Sequence, residues 1–259
     1  CALPISSLAR RGATSLARRG AASLVDAAWL RARADDARVR VFDVTQVLDR
    51  ETNVVAPARA AFDAAHVPAA TFLDVGGALS APHVSLHNMA PAPEAFAAAL
   101  GENGVDDSCH VVLYSTSKIM WATRAWWLLD AFGFEGDVSV LDGGLDAWTA
   151  AGGDVASGPA APRAPARLPS RPARPGAFVG QDVVLGAVDS GDMKLVDSLK
   201  PAAFAGIKKS RYGRPGHIPT AVNVPYESLL EGGRFKSTTD IRDIVEAAGL
   251  GGDAPVLAY

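Results

Sequence analysis

The chain has 259 residues, 49% of them hydrophobic and 20% charged, enough for one large domain or two ordinary ones with a buried core. A net charge of −3 gives no global reason to expect nucleic acid or an acidic membrane surface as partner. No apolar stretch is long enough to span a bilayer. Two cysteines, Cys1 and Cys109, make neither a disulfide framework nor a metal-ligand spacing, so a reducing compartment and no metal are expected.

Residues 1–24 form a basic leader. It carries Arg10, Arg11, Arg18 and Arg19, has no acid before Asp26, and repeats Ser-Leu-Ala-Arg-Arg-Gly-Ala from Ser7 and from Ser15. It reads either as an organelle transit peptide or as a disordered low-complexity tail. A start at Cys1, not Met, reads as a fragment or a processed form.

Strand and helix then alternate. Val39 to Val44 is predicted as a strand closed by Asp43, and residues 92–100 as a helix ended by Gly101. Val111 to Tyr114 is a strand. Ile119 to Phe132 is a helix holding Trp121, Trp126 and Trp127. Val138 to Leu141 is a strand and Gly144 to Ala151 a helix ended by Gly152. Residues 156–178 carry prolines at 159, 162, 165, 169, 172 and 175 and read as an extended linker without packing. Alternation resumes with a helix over Gln181 to Val188 and a strand over Lys194 to Val196, closing on Asp197. A strand over Ala221 to Val224, a helix over Thr239 to Ala248 and a strand over Pro255 to Tyr259 follow. Such alternation implies a mostly parallel sheet flanked by helices, an α/β fold.

The second half repeats the first. Val41-Phe-Asp-Val44 matches Leu195-Val-Asp-Ser198. Ala65-His-Val-Pro-Ala-Ala70 matches Gly216-His-Ile-Pro-Thr-Ala221. His110-Val-Val-Leu-Tyr114 matches Pro255-Val-Leu-Ala-Tyr259. Three landmarks in one order, each about 150 residues apart, indicate two homologous domains, 25–155 and 179–259. Nothing follows Tyr259 to match the helix, strand and helix after Tyr114, so the second copy reads as incomplete.

These landmarks resemble those of the rhodanese family: an Asp closing the first strand, the His-Val/Ile-Pro turn, and a strand ending in Tyr before the active loop. Val138-Ser-Val-Leu-Asp-Gly-Gly-Leu-Asp-Ala-Trp148 is similar to the segment that ends such a domain. Arg124-Ala-Trp-Trp127 is similar to the helix of the non-catalytic first domain in tandem sulfurtransferases. The resemblance implies two rhodanese-like domains and transfer of a sulfane sulfur from thiosulfate or 3-mercaptopyruvate to a thiol or cyanide. A cysteine persulfide would be the intermediate. A turn between a strand end and a helix N-terminus would hold the thiolate by backbone N–H groups.

The nucleophilic cysteine is expected directly after Tyr259, so the chain as it stands is expected to be inactive. Ser115 takes the equivalent place in the first domain, where a hydroxyl cannot form a persulfide, and that domain is expected to be silent. Asp197 is implied to support the loop. The family's usual donor-binding arginines are replaced by Leu199 and Ala203; Lys208, Lys209, Arg211 and Arg214 just downstream are the cations that could compensate, Arg214 first and then Arg211, with a solvated loop as the other reading. His66 is implied to lie near the domain interface, with a structural role as the other reading. His217 reads as structural.

No organic cofactor is expected, because neither G-x-G-x-x-G nor a phosphate-loop motif is present. The expected partners are a small anionic sulfur donor and a thiol or cyanide acceptor, with neither nucleic acid nor membrane. The expected location is mitochondrial or cytoplasmic. A non-catalytic rhodanese-like binding or regulatory module is the alternative, favoured by Ser115, Leu199 and Ala203. A phosphatase on the related fold would need a longer loop after the cysteine.

Overall fold

The computed structural model describes residues 23–48, 55–82, 88–116, 118–208 and 214–259. The chain divides into two compact units, with the boundary between Ala177 and Phe178.

The first unit opens with a short strand, β1 (Leu24–Val25), and helix α1 (Ala27–Arg31), capped by the Asp26 carboxylate accepting the Trp29 N–H at 2.7 Å. Strand β2 (Val39–Asp43) follows, then a hairpin of β3 (Gln46–Leu48) and β4 (Val55–Pro57). Helix α2 (Arg59–Ala64) and strand β5 (Thr71–Phe72) come next. Helix α3 (Pro93–Glu102) starts on a proline, whose missing N–H is no loss in a first turn. Strand β6 (His110–Tyr114), helix α4 (Met120–Ala131), strand β7 (Asp137–Leu141) and helix α5 (Gly144–Ala150) complete the alternation.

Five strands form one parallel sheet in the order β1-β7-β6-β2-β5. Both faces are covered, as parallel sheets require. Alternate residues of β6 serve both sides: Val111 and Leu113 join the α3 and α4 core with Phe96, Leu100 and Leu128, while Val112 and Tyr114 join Leu30, Phe62 and Trp148. The apolar stripe of α4, Trp121, Ala122, Ala125, Leu128 and Leu129, has the 3-4 spacing that lays one helix face on a sheet.

Three expectations change here. Gly101 lies inside α3 and does not end it. Its missing side chain leaves room for a neighbour, since a Cβ there would sit 2.7 Å from the Ala166 carbonyl oxygen. That neighbour is the proline-rich segment. It carries no regular element, as its prolines dictate, yet it is packed. Ala166 N–H donates to the Gly101 carbonyl at 2.8 Å, and Leu168 is buried in the core. The Arg171 guanidinium clasps Asp107 through both Nη atoms at 3.0 and 2.7 Å, and Arg174 pairs with the buried Asp130. The edge strand β1 also begins at Leu24, within the segment assigned to the leader.

The second unit contains helix α6 (Gln181–Ser190), strand β8 (Lys194–Asp197), helix α7 (Pro201–Phe204) and strand β9 (Val222–Asn223). A 3-10 turn (Tyr226–Leu229) leads into the hairpin of β10 (Leu230–Glu231) and β11 (Arg234–Phe235). Helix α8 (Thr238–Ala247), capped by Ser237, and strand β12 (Val256–Ala258) follow. The sheet order is β12-β8-β9, all parallel. Strands β8, β9 and β12 thus take the places of β2, β5 and β6. Its buried cluster is small, Ala187, Leu195 and Ala221, with half-buried Val184, Phe204 and Ile218 against it.

Candidate active site

In an open α/β sheet a ligand crevice forms at the carboxyl ends of the strands, where the strand order reverses. In the first unit the chain moves from β2 outward to β5, then crosses to β6 on the other side, so the reversal lies between β2 and β6. Asp43 and Tyr114, paired in register, close those two strands. In the second unit the reversal lies between β8 and β12, where the Tyr259 N–H donates to the Val196 carbonyl at 3.1 Å beside Asp197.

Each unit builds the rim of its crevice in the same way. Tyr114 Oη accepts the Val67 N–H at 3.2 Å, and Tyr259 Oη accepts the Ile218 N–H at 2.8 Å. His66 Nδ1 meets the Phe62 carbonyl at 2.8 Å with the two rings stacked at 4.0 Å. His217 Nδ1 meets the Phe204 carbonyl at 2.8 Å with the rings at 3.6 Å. Both His-x-Pro turns end on a left-handed non-glycine residue, Ala69 at φ 61° and Thr220 at φ 69°, a conformation the packed turn must hold against its own strain. His66 is buried, and a bridge to Ala156 fastens its backbone.

Both aspartates are buried, with one oxygen bound and one not: Asp43 Oδ2 and Asp197 Oδ2 have no hydrogen-bond partner among the described residues. Burial raises the Asp43 carboxyl above the ordinary range, opposed by its bonds to Thr45 and by the nearby Tyr114 hydroxyl. Burial also raises the Tyr114 phenol, helped by the nearby Asp43 charge, and raises that of Tyr259.

The loops after the strands differ. Asp43 Oδ1 accepts the Thr45 N–H at 2.8 Å and the Thr45 hydroxyl, and Thr45 Oγ1 accepts the Thr116 N–H at 2.9 Å. A relay thus ties strand β2 to the turn that begins at Ser115. Sequence reasoning missed Thr45. The signal for it was its place two residues beyond the strand aspartate, where the second unit has Leu199. There, among the described residues, Asp197 Oδ1 accepts just the Leu199 N–H, at 2.6 Å, and Asn223 Nδ2 donates to the carbonyls of Asp197 and Leu199 at 3.0 and 2.8 Å. Gly144 lets α5 press against the Ser115 turn, since a Cβ there would lie 2.5 Å from the Ser115 carbonyl oxygen.

Of the cations, Arg214 is exposed and Lys200 is paired with Glu227 at 2.9 Å. Arg211 lies outside the described residues. Leu199 is exposed, and Ala203 sits in α7. Cys109 is buried, with Sγ 3.8 Å from the Gly104 carbonyl, and burial raises its thiol above the ordinary value. It is held as a protonated packing group at the start of β6, the end of that strand opposite Ser115. Among the described residues no cluster of three or more His, Cys, Asp or Glu could hold a metal, and no helix is long and apolar enough to cross a membrane.

Residues 26–151 match the model of the rhodanese-like domain. The chain is 34% identical over 237 residues to the 3-mercaptopyruvate sulfurtransferase of Escherichia coli K12, covering 90% of this chain and 82% of that protein. The chain belongs to the rhodanese-type sulfurtransferase family. Among other rhodanese-type relatives, the thiosulfate sulfurtransferase of Gallus gallus is 32% identical, covering 85% of this chain and 76% of its own length. The crystal structure of SseA, a 3-mercaptopyruvate sulfurtransferase from Escherichia coli, superposes with a TM-score of 0.80 at 30% identity, covering 92% of this chain and 88% of that one. The tandem α/β architecture is that of a rhodanese sulfurtransferase, and sulfur transfer is the enzyme class of the family.

Proposed function

We propose that the protein moves a sulfane sulfur from a small anionic donor, 3-mercaptopyruvate or thiosulfate, to a thiol or cyanide. The second unit, residues 179–259, is the catalytic one, and the first, 25–155, is silent, with residues 156–178 joining them. The observation that carries this reading is Asp197. Its Oδ2 is buried at the strand-order reversal, beside Tyr259, and among the described residues has no hydrogen-bond partner, where an acceptor for loop N–H groups is needed.

The position after Tyr259 corresponds to Ser115 and is where the nucleophile belongs. A thiolate there attacks the sulfane sulfur of the donor. With thiosulfate the S–S bond breaks and sulfite leaves with its electron pair. With mercaptopyruvate the thiolate attacks the thiol sulfur, the C–S bond breaks, and the carbon leaves with the electron pair as an enolate that then takes a proton to give pyruvate. An acceptor nucleophile then attacks the outer sulfur of the persulfide and frees the thiolate.

Arg214 and Arg211 supply positive charge to the donor. The leader, residues 1–24, fits an address to the mitochondrion, with a cytoplasmic protein as the alternative. Ser115, Leu199 and Ala203 favour a second reading, a rhodanese-like module that binds without turnover.

Incubation of the full-length protein with each donor, followed by mass spectrometry, separates the two. A gain of one sulfur atom on a cysteine directly after Tyr259, lost on adding cyanide, is expected. An unmodified protein with both donors leaves the binding module.

A further inference from the structure

The first unit holds a cavity of about 220 Å³ at the end of the sheet opposite the Ser115 turn. Its floor is apolar, formed by Val39 and Val41 of β2 and by Trp148 of α5, all three buried. Its rim carries three arginines, Arg31, Arg33 and Arg163.

Among the described residues each arginine donates its hydrogen bonds to neutral acceptors, and Asp36 is the carboxylate whose charge reaches Arg33. Arg31 Nη1 donates to the Ala151 carbonyl at 2.6 Å. Arg33 Nη1 donates to the Trp29 carbonyl at 3.2 Å, and its guanidinium lies 4.3 Å from the Trp29 ring centre. Arg163, half-buried, donates from Nε to Thr71 Oγ1 at 3.3 Å and from Nη2 to the Ala69 carbonyl at 2.5 Å. Neutral acceptors fix a guanidinium's direction without cancelling its charge, and each guanidinium has five donors. Asp154 also lines the cavity, yet among the described residues no ion pair joins it to any of the three. Arg163 is further disfavoured as a cation by burial and then by the nearby Arg40. An anion in the cavity would relieve both penalties.

We propose that this cavity binds a small organic anion, a carboxylate on an aromatic or branched aliphatic body. The arginines take the carboxylate and the Val39–Val41–Trp148 floor takes the body. The volume lies below the roughly 300 Å³ at which drug-sized pockets begin, which limits the occupant to a compact molecule. The basic leader of the chain, with Arg10, Arg11, Arg18 and Arg19, has the wrong sign to fill it. The site stands whether or not the second unit transfers sulfur.

Titration of the full chain with benzoate, followed by ligand-observed NMR, tests it. Saturable binding is expected in the millimolar range open to a ligand of this size. Benzyl alcohol, which lacks the charge, and inorganic sulfate, which lacks the body, should each bind at least about tenfold more weakly. Arg163→Met should weaken benzoate by a similar factor, while Arg38→Ala, which removes a cation paired with Asp36 and absent from the lining, should change nothing. Ala34→Trp, on the exposed rim, should block the cavity without replacing an arginine and serves if the Arg163 variant does not fold. Absence of saturable benzoate binding overturns the proposal, as does binding that survives Ala34→Trp unchanged.

Discussion

In the first unit Asp43 reaches the following turn through Thr45, whose hydroxyl bonds Asp43 and accepts the Thr116 N–H. In the second, Leu199 stands at the place of Thr45, and among the described residues Asp197 Oδ1 holds the Leu199 N–H and no side-chain hydroxyl. The stacked histidine, the tyrosine hydroxyl on the turn amide and the left-handed residue after the proline are common to both. Frame and loop tether are therefore separable. The frame is kept where no sulfur chemistry is expected, so it answers to folding, whereas the tether answers to what each turn must do.

Substitutions made in pairs sharpen that separation. The largest effect is expected at the stacked ring. Phe62→Ala, at a fully buried site under His66, should cost about 3–5 kcal/mol, and Phe204→Ala, half-buried in a smaller cluster, clearly less. Equal shifts in the denaturant midpoint would mean that the two frames are not packed differently after all. Next is the tyrosine hydroxyl. Tyr114→Phe strands the Val67 N–H in a buried site and should cost about 1–3 kcal/mol, while Tyr259→Phe leaves an Ile218 N–H that water can reach and should cost less.

Smaller still is the tether. Thr45→Val removes the relay and should destabilise the first unit by about 1–2 kcal/mol without altering sulfur transfer by the full-length protein. A loss of transfer on Thr45→Val would show that the first turn is not silent. The reciprocal change, Leu199→Thr, should protect the second turn from hydrogen exchange in the full-length protein. Unchanged exchange would place the tether elsewhere.

The smallest effect is a pH dependence. His110, whose Nε2 lies 2.9 Å from the buried Ser139 hydroxyl, is pushed below the ordinary imidazole value by burial. A depressed folded pKa means that the neutral form is favoured in the fold. Its contribution is therefore present above about pH 6.5 and is lost as pH falls through the folded value. Thermal melts of His110→Gln should lose less stability than the parent between pH 7 and mildly acid pH. Parallel curves would remove His110 as the cause.

The repeated landmarks were legible because they combine fixed residue types with a period: a strand ending on Asp43 or Asp197, a His-x-Pro turn, and a strand ending on Tyr114 or Tyr259. The sheet and its large helices followed from alternation. What stayed hidden was short or non-local. Leu24 and Val25 form an edge strand only because β7 lies beside them, and a two-residue strand has no period to read. The β3–β4 hairpin and helix α2 were likewise too short. Thr45 lies just past the predicted strand, and its partner Thr116 comes from 71 residues away. Leu199 and Ala203 could be read as departures from a family pattern, but what Leu199 leaves undone became visible only when the two turns were compared.

The docked proline-rich segment has a further consequence, for proteolysis. Arg163, Arg167, Arg171 and Arg174 fall within a dozen residues and by composition invite trypsin. Arg171 and Arg174 each precede a proline, which blocks cleavage after them, and both are held by aspartates. Arg163 is engaged with the Ala69 carbonyl, and the bond after Arg167 leads into Leu168, whose side chain is buried. Cutting there requires Leu168 to leave the core first, so the nicking rate should report how often this segment lifts away from the first unit.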